Sequence, residues 1–169
     1  ASALVAQVPS DGNVAALVAS LADPDGSVRE RSAAALGNAG AAAVEPLASA
    51  LADPDPFVAG AAAAALARVG AASVPALVRA LGDGREKVRE GAAIALGKLG
   101  ETSRDAVPAL VRALADPKEN VRWTASNALG AVGPGASAAL PTLREALADR
   151  DEDVRRGAAL ALARIDPEG

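Results

Sequence analysis

Five times along this chain a Leu-x-Asp step leads, five residues on, to a valine that is usually followed by arginine, and then to an Ala-Leu pair. The aspartates are Asp23, Asp53, Asp83, Asp116 and Asp149, at steps of 30, 30, 33 and 33 residues. A unit of that length is too small to bury a core by itself, so its stability must come from stacking on neighbours of the same kind. The spacing therefore predicts an all-α, right-handed α-solenoid of five helix-pair repeats, at 13–40, 41–70, 71–100, 101–133 and 134–166, within a single solenoid domain over 1–169. Residues 1–12, with an apolar stretch from Ala3 to Val8, read as an N-terminal remnant or cap.

Each unit carries two helical patterns. The first is short: Val14, Leu17, Val18 and Leu21 in unit one, Val74, Leu77, Val78 and Leu81 in unit three, Val107, Leu110, Val111 and Leu114 in unit four. Spacings of three and four place them on one helix face. Pro75, Pro108 and Pro141 fall near the start of this helix, where a missing N–H costs little, whereas Pro46 stands one place later. The second helix follows a turn such as Asp23-Pro24-Asp25-Gly26 and stops at Gly40, Gly70, Gly100 or Gly133, residues suited to a left-handed C-cap.

At 100° per residue the second helix divides into three stripes. One, with Val28, Ser32, Ala35, Leu36 and Ala39 in unit one, faces the unit's own first helix. The next begins with Arg29, Arg89, Arg122 or Arg155 and continues through alanine, serine and glycine, which allows a neighbouring backbone to come close. Its arginines and the recurring aspartates are expected to pair across the turn or between units as a ladder, with Ala59 leaving Asp53 without a local partner.

This order of residues, a proline near the first helix start, Leu-x-Asp-Pro, then Val-Arg-x-x-Ala-Ala-x-Ala-Leu-Gly, resembles the HEAT-like repeats of the phycobilin-lyase type over residues 13 to 166. The resemblance implies a HEAT-like α-solenoid whose second helices line a concave side. It also admits three roles: interaction scaffold, chromophore-lyase-like subunit acting with a partner, and engineered repeat scaffold or binder. Fold alone does not choose among them.

The third stripe, opposite the core, is where the units disagree. Unit one has Ser27, Glu30, Arg31, Ala34 and Asn38; unit two Phe57, Gly60, Ala61, Ala64 and Arg68; unit three Lys87, Glu90, Gly91, Ile94 and Lys98. Unit four has Asn120, Trp123, Thr124, Asn127 and Ala131, and unit five Asp153, Arg156, Gly157, Leu160 and Arg164. The only Phe and the only Trp of the chain both fall here. Large apolar residues on a face expected to meet solvent mark a partner surface, and tryptophan is a frequent anchor at interfaces. The expected partner-binding residues are therefore Phe57, Glu90, Ile94, Trp123, Asn127, Arg156 and Leu160. The competing expectation is that Phe57 and Trp123 fold over neighbouring turns as satellite packing.

Composition narrows the chemistry. With no Cys and no His, the chain lacks thiolate and imidazole nucleophiles and the usual zinc ligands, and no catalytic residue, cofactor or metal site is expected. Asp149, Asp151 and Asp153 alternate like the start of a calcium loop, but Val154 occupies the glycine place and Leu160 the glutamate place. A formal charge of −4 disfavours nucleic acid, whose binding normally needs a basic footprint. The uncharged run from Trp123 to Leu143 is long enough to cross a membrane but is broken by Gly133-Pro134-Gly135, so no membrane span is expected. A cytoplasmic protein that binds another protein or peptide on the concave face follows, with self-association through the groove or the array ends as a further expectation.

Overall fold

The computed structural model describes residues 14–168; the expected N-terminal remnant or cap at 1–12 lies outside them. The described residues contain ten α-helices and no strand. They are α1 (Val14–Ala19), α2 (Gly26–Asn38), α3 (Val44–Ala50), α4 (Pro56–Val69), α5 (Val74–Ala80), α6 (Glu86–Leu99), α7 (Val107–Ala113), α8 (Glu119–Val132), α9 (Leu140–Ala146) and α10 (Glu152–Ile165). They form two compact units, one running to Ser73 and carrying α1 to α4, the other beginning at Val74 and carrying α5 to α10.

The short helices have six or seven residues, too few to persist alone in water. Packing holds them: Leu47, Leu77, Leu110 and Leu143 are fully buried, as are Leu36, Leu66, Leu96 and Leu129 on the long helices. A proline in the first turn of α7 and α9 presets φ and sacrifices no intrahelical bond. Pro46 sits within the first turn of α3 as well, and the helix still begins at Val44.

The recurring aspartate is the pivot of the turn between the two helices. In all five repeats its Oδ1 accepts the backbone N–H two residues on, from Asp25, Asp55, Arg85, Lys118 and Asp151 respectively, closing an Asx turn. The N-cap is that later residue; where it is Asp25, Asp55 or Asp151 its own carboxylate accepts a further N–H from the helix. The exit is equally regular: Gly40, Gly70, Gly100 and Gly133 have φ between 57° and 83°, a conformation a Cβ would strain. By length and composition the run Pro56–Ala80 would suffice to cross a membrane. Gly70 divides that run into α4 and α5, and Gly133 likewise ends α8 inside the uncharged run.

The arginine ladder of the second unit does two jobs at once. Arg89 Nη1 donates to the carbonyl of Asp83, closing its own turn at 2.9 Å, while Nε and Nη2 grip both carboxylate oxygens of Asp116 at 2.7 and 3.0 Å. Arg122 repeats this with the Asp116 carbonyl at 2.9 Å and Asp149 at 2.8 and 2.9 Å. Such fork-to-fork bonds are directional as well as strong. Both pairs are largely shielded, with side-chain exposures of 12% and 8%, and of 6% and 14%.

In the first unit the ladder is not made. Arg29 Nη1 closes its own turn on the carbonyls of Asp23 and Pro24, but the guanidinium stands over the Phe57 ring, 5.6 Å from its centre. Asp53 therefore has no arginine partner among the described residues, for a reason other than the expected one. The carboxylate is served by the arginine of the preceding repeat, so the Arg29 position matters to Asp53, and Ala59 does not. Asp83, one repeat after Ala59, is bound by Arg85 instead, at 2.8 and 2.9 Å.

Link length accompanies this difference. The links Gly100–Ala106 and Gly133–Ala139 have seven residues, against four in Gly40–Ala43. The long links go with helix pairs in which a Cβ on Gly97 or Gly130 would meet the Cα of Ala128 or Ala161, at 3.4 and 3.0 Å. In the first unit a Cβ on Gly37 would meet Arg68 Cβ at 2.6 Å, a position about one helical turn further along. The three additional residues thus coincide with the register in which arginine reaches aspartate.

Two outcomes follow. Asp149→Ala strands the buried Arg122 guanidinium and should cost about 3 kcal/mol, read by equilibrium denaturation, whereas Gly130→Val should cost about 1 to 3 kcal/mol by forcing α8 from α10. The pairs also set an acid limit. Hydrogen bonds from Arg122 outweigh burial and hold the Asp149 carboxyl below its ordinary range; at Asp116 burial pushes upward, but Arg89 and the Lys118 N–H together prevail. A carboxyl depressed on folding contributes fully above its unfolded pKa of about 3.9 and loses that contribution as pH falls through the folded value. Thermal stability should therefore fall steeply below pH ~4, and less steeply in Asp149→Ala.

Candidate partner-binding surface

Of the seven expected partner-binding residues, the structure brings three around one hollow. Between α6 and α8 of the second unit lies a cavity of about 330 Å³ lined by Ala93, Ile94, Gly97, Lys98, Trp123, Thr124, Asn127, Ala128 and Ala131. Its floor is formed by Ala93, Gly97 and Ala128, small enough for the two helices to approach closely. Its walls rise because Ile94 and Trp123 are large, each 39% exposed. Asn127 supplies the amide, one turn after Trp123 on the same face.

Trp123 is also seated. A Cβ on Gly157 would lie 3.2 Å from indole Cδ1, 3.3 Å from Ser126 Cβ and 3.6 Å from Asn127 Oδ1, so the absent side chain at 157 is the space in which the ring edge rests. One edge of the ring packs on α10, and the ring also walls the cavity. Two positions expected to face solvent do not. Gly157 is buried under Trp123, and Thr124 is buried with its hydroxyl donating to the carbonyls of Asn120 and Val121 at 2.8 and 3.1 Å. The 100° rule places side chains about one helix axis, and here a neighbouring helix covers part of the outer stripe.

On the other side of Trp123 a smaller hollow of about 150 Å³ is lined by Glu119, Asn120, Asp151, Asp153 and Arg156 together with the indole. Arg156 is bound to Asp153, and Asp151 caps α10. The Asp149-Asp151-Asp153 alternation is thereby accounted for, since Asp149 holds Arg122.

The remaining expected residues stand apart from the main cavity. Glu90, half-buried, accepts a bond from Lys87 at 2.8 Å. Leu160 on α10 is 51% exposed and lines neither hollow. Phe57 belongs to the first unit, 70% exposed beneath Arg29. Arg68, Lys98 and Arg164 lie in the last turns of α4, α6 and α10, where a cation complements the helix dipole. The floor residues Ala93, Gly97 and Ala128 escaped sequence reasoning because alanine and glycine at those places read as packing, and only the gap between two helices shows them to be a surface.

Models of HEAT repeats match residues 14–97, 60–117 and 74–163. The chain belongs to the HEAT-repeat family. No curated protein sequence matches it. Among solved structures, the complex of CpcE and CpcF of phycocyanin lyase from Nostoc sp. PCC7120 is similar at 22% identity and a TM-score of 0.67, covering 88% of this chain and 96% of that one. Importin beta is similar at 22% identity and a TM-score of 0.68, covering 90% of this chain and 24% of that one. Computationally designed armadillo repeat proteins for modular peptide recognition are similar at 26% identity and a TM-score of 0.55, covering 89% of this chain and 81% of that one. The fold class is thus the all-α solenoid of HEAT and armadillo type, one commonly used as a protein-interaction scaffold and generally without catalysis.

The seating of Trp123 can be checked directly. Gly157→Val should lift the indole off α10, shifting tryptophan emission to longer wavelength and raising its quenching by acrylamide relative to the parent chain.

Proposed function

We propose that this chain is a non-catalytic protein-interaction module whose partner lies along the faces of the second helices, the concave side in this reading. One observation carries the proposal. The cavity between α6 and α8 has an alanine and glycine floor and walls of Ile94 and Trp123, which is the form of a socket for a large apolar side chain. Such an anchor, desolvated between Ile94 and the indole, would supply most of the affinity. Asn127 would bond a polar group of the segment on either side of it. Leu160, Glu90 and Arg156 would contact flanking residues, and Phe57 would offer a further contact on the first unit.

The designed armadillo proteins lend support, since their stated purpose is peptide recognition and their likeness to this chain reaches 26% identity. The phycocyanin-lyase likeness, at 22%, speaks for the fold alone, and lyase activity is not carried by it.

Selection of a displayed peptide library against the chain, with Trp123→Ala as the counter-target, should enrich segments bearing a large apolar residue. Titration calorimetry with a selected peptide should then show a loss of about tenfold or more for Trp123→Ala and a smaller loss for Leu160→Ala, with melting temperatures unchanged by more than a few degrees. Unaltered affinity in both variants would sink the proposal.

A further inference from the structure

Trp123 stands between two hollows of opposite character. On one side is the apolar cavity between α6 and α8, and the one charged group on its lining is Lys98, in the last turn of α6. Lys98 is exposed and meets no carboxylate among the described residues. On the other side, between α8 and α10, the hollow of about 150 Å³ sets three carboxylates, Glu119, Asp151 and Asp153, against one cation, Arg156. Arg156 is taken up by Asp153. Glu119 makes no hydrogen bond or ion pair among the described residues, and Asp151 meets only the N–H groups of its own helix start. Arg122 feels the charge of Glu119 but is already gripped by Asp149. Two negative charges therefore stand uncompensated beside the indole.

Such an arrangement selects a cation. A guanidinium or ammonium in that hollow is drawn by the two free carboxylates and lies against an aromatic ring, which attracts positive charge. The N-termini of α8 and α10 are already complemented by these acids, so a further anion there meets repulsion. The cavity side has the opposite preference, since Lys98 repels a cation and attracts a carboxylate. The two hollows are centred roughly six residues apart along α8, which is about 9 Å, and lie across that helix from each other, about 9 Å more. The ~13 Å between them is the reach of about four extended residues.

We infer that the partner is a charge-polarised segment of protein, an inference that rests on the socket proposed above for a large apolar anchor. With the anchor between Ile94 and Trp123, an arginine or lysine about four residues away occupies the hollow of Glu119 and Asp151, and an acidic residue beside the anchor meets Lys98. The shared indole couples the two hollows, walling the anchor on one side and backing the cation on the other. The anchor supplies affinity, and the charges fix which way round the segment lies.

Titration calorimetry on the intact chain tests this with synthetic peptides of neutral polar background around a central phenylalanine. The matched peptide carries arginine about four residues to one side of the phenylalanine and glutamate directly on the other, made in both chain directions; charge-reversed and uncharged versions complete the set. In one chain direction the matched peptide should bind about tenfold tighter than its charge-reversed counterpart at low salt, and the gap should shrink at ~0.5 M salt. Glu119→Lys should weaken the matched peptide and leave the uncharged one unchanged. Lys98→Glu should turn the preference beside the phenylalanine from glutamate to lysine. Both are exposed helix positions, and circular dichroism checks that the variants fold. Equal binding of matched, uncharged and charge-reversed peptides overturns the inference and leaves the socket in place. A matched peptide that binds as well with alanine for its phenylalanine overturns socket and inference together. So does a set in which nothing binds, including the case of a doubled sedimenting mass that marks a second copy in the cavity.

Discussion

An arginine that spends one nitrogen on its own turn and two on its neighbour's is the interaction on which the second unit's stacking depends. A lone Asx turn would fix the entry of a helix but say nothing about the next repeat. A lone ion pair would join two repeats while leaving each turn free to flex. Arg89 and Arg122 tie the two constraints to one planar group, so the angle of the turn and the registration of the following helix are set together. Burial makes this consequential, because a shielded guanidinium without its carboxylate is costly.

The close approach that this registration brings depends on small residues, and the same smallness shapes the candidate site. Gly130 against Ala161 and Gly97 against Ala128 let helices come near enough that only large side chains rise from the surface between them. Ile94 and Trp123 are therefore walls by contrast with an alanine floor. Gly157 adds a second effect, giving the edge of the indole a shelf on α10. Stacking and the shape of the hollow use one physical device, the deletion of side-chain volume at chosen places.

Much of this was legible in the residues. The repeat, the helix pairs, the glycine exits and the arginine with its aspartate all follow from turn chemistry and helical periodicity, which act over a few residues and leave local signatures. The shared helix face of Ile94, Trp123 and Asn127 was legible in outline too, and the three line one hollow. What the residues did not disclose depends on distances between helices. Thr124 and Gly157 are covered by neighbours that a single helical wheel does not contain, and Arg29 stands over a ring 28 positions further on while Asp53 has no arginine partner among the described residues.

The sequence by itself determined the repeating unit, its two helices and the group that joins turn to turn, because hydrogen bonds within six residues and apolar spacing along one helix suffice to encode them. Only the tertiary structure decided which arginine meets which aspartate, which side chains line the hollow beside Trp123, and which positions of the outer stripe are covered. Those outcomes turn on how far one helix slides along the next. In this chain a link of four or of seven residues goes with one position or the other, and the slide places groups from separate repeats within bonding reach or a full turn apart.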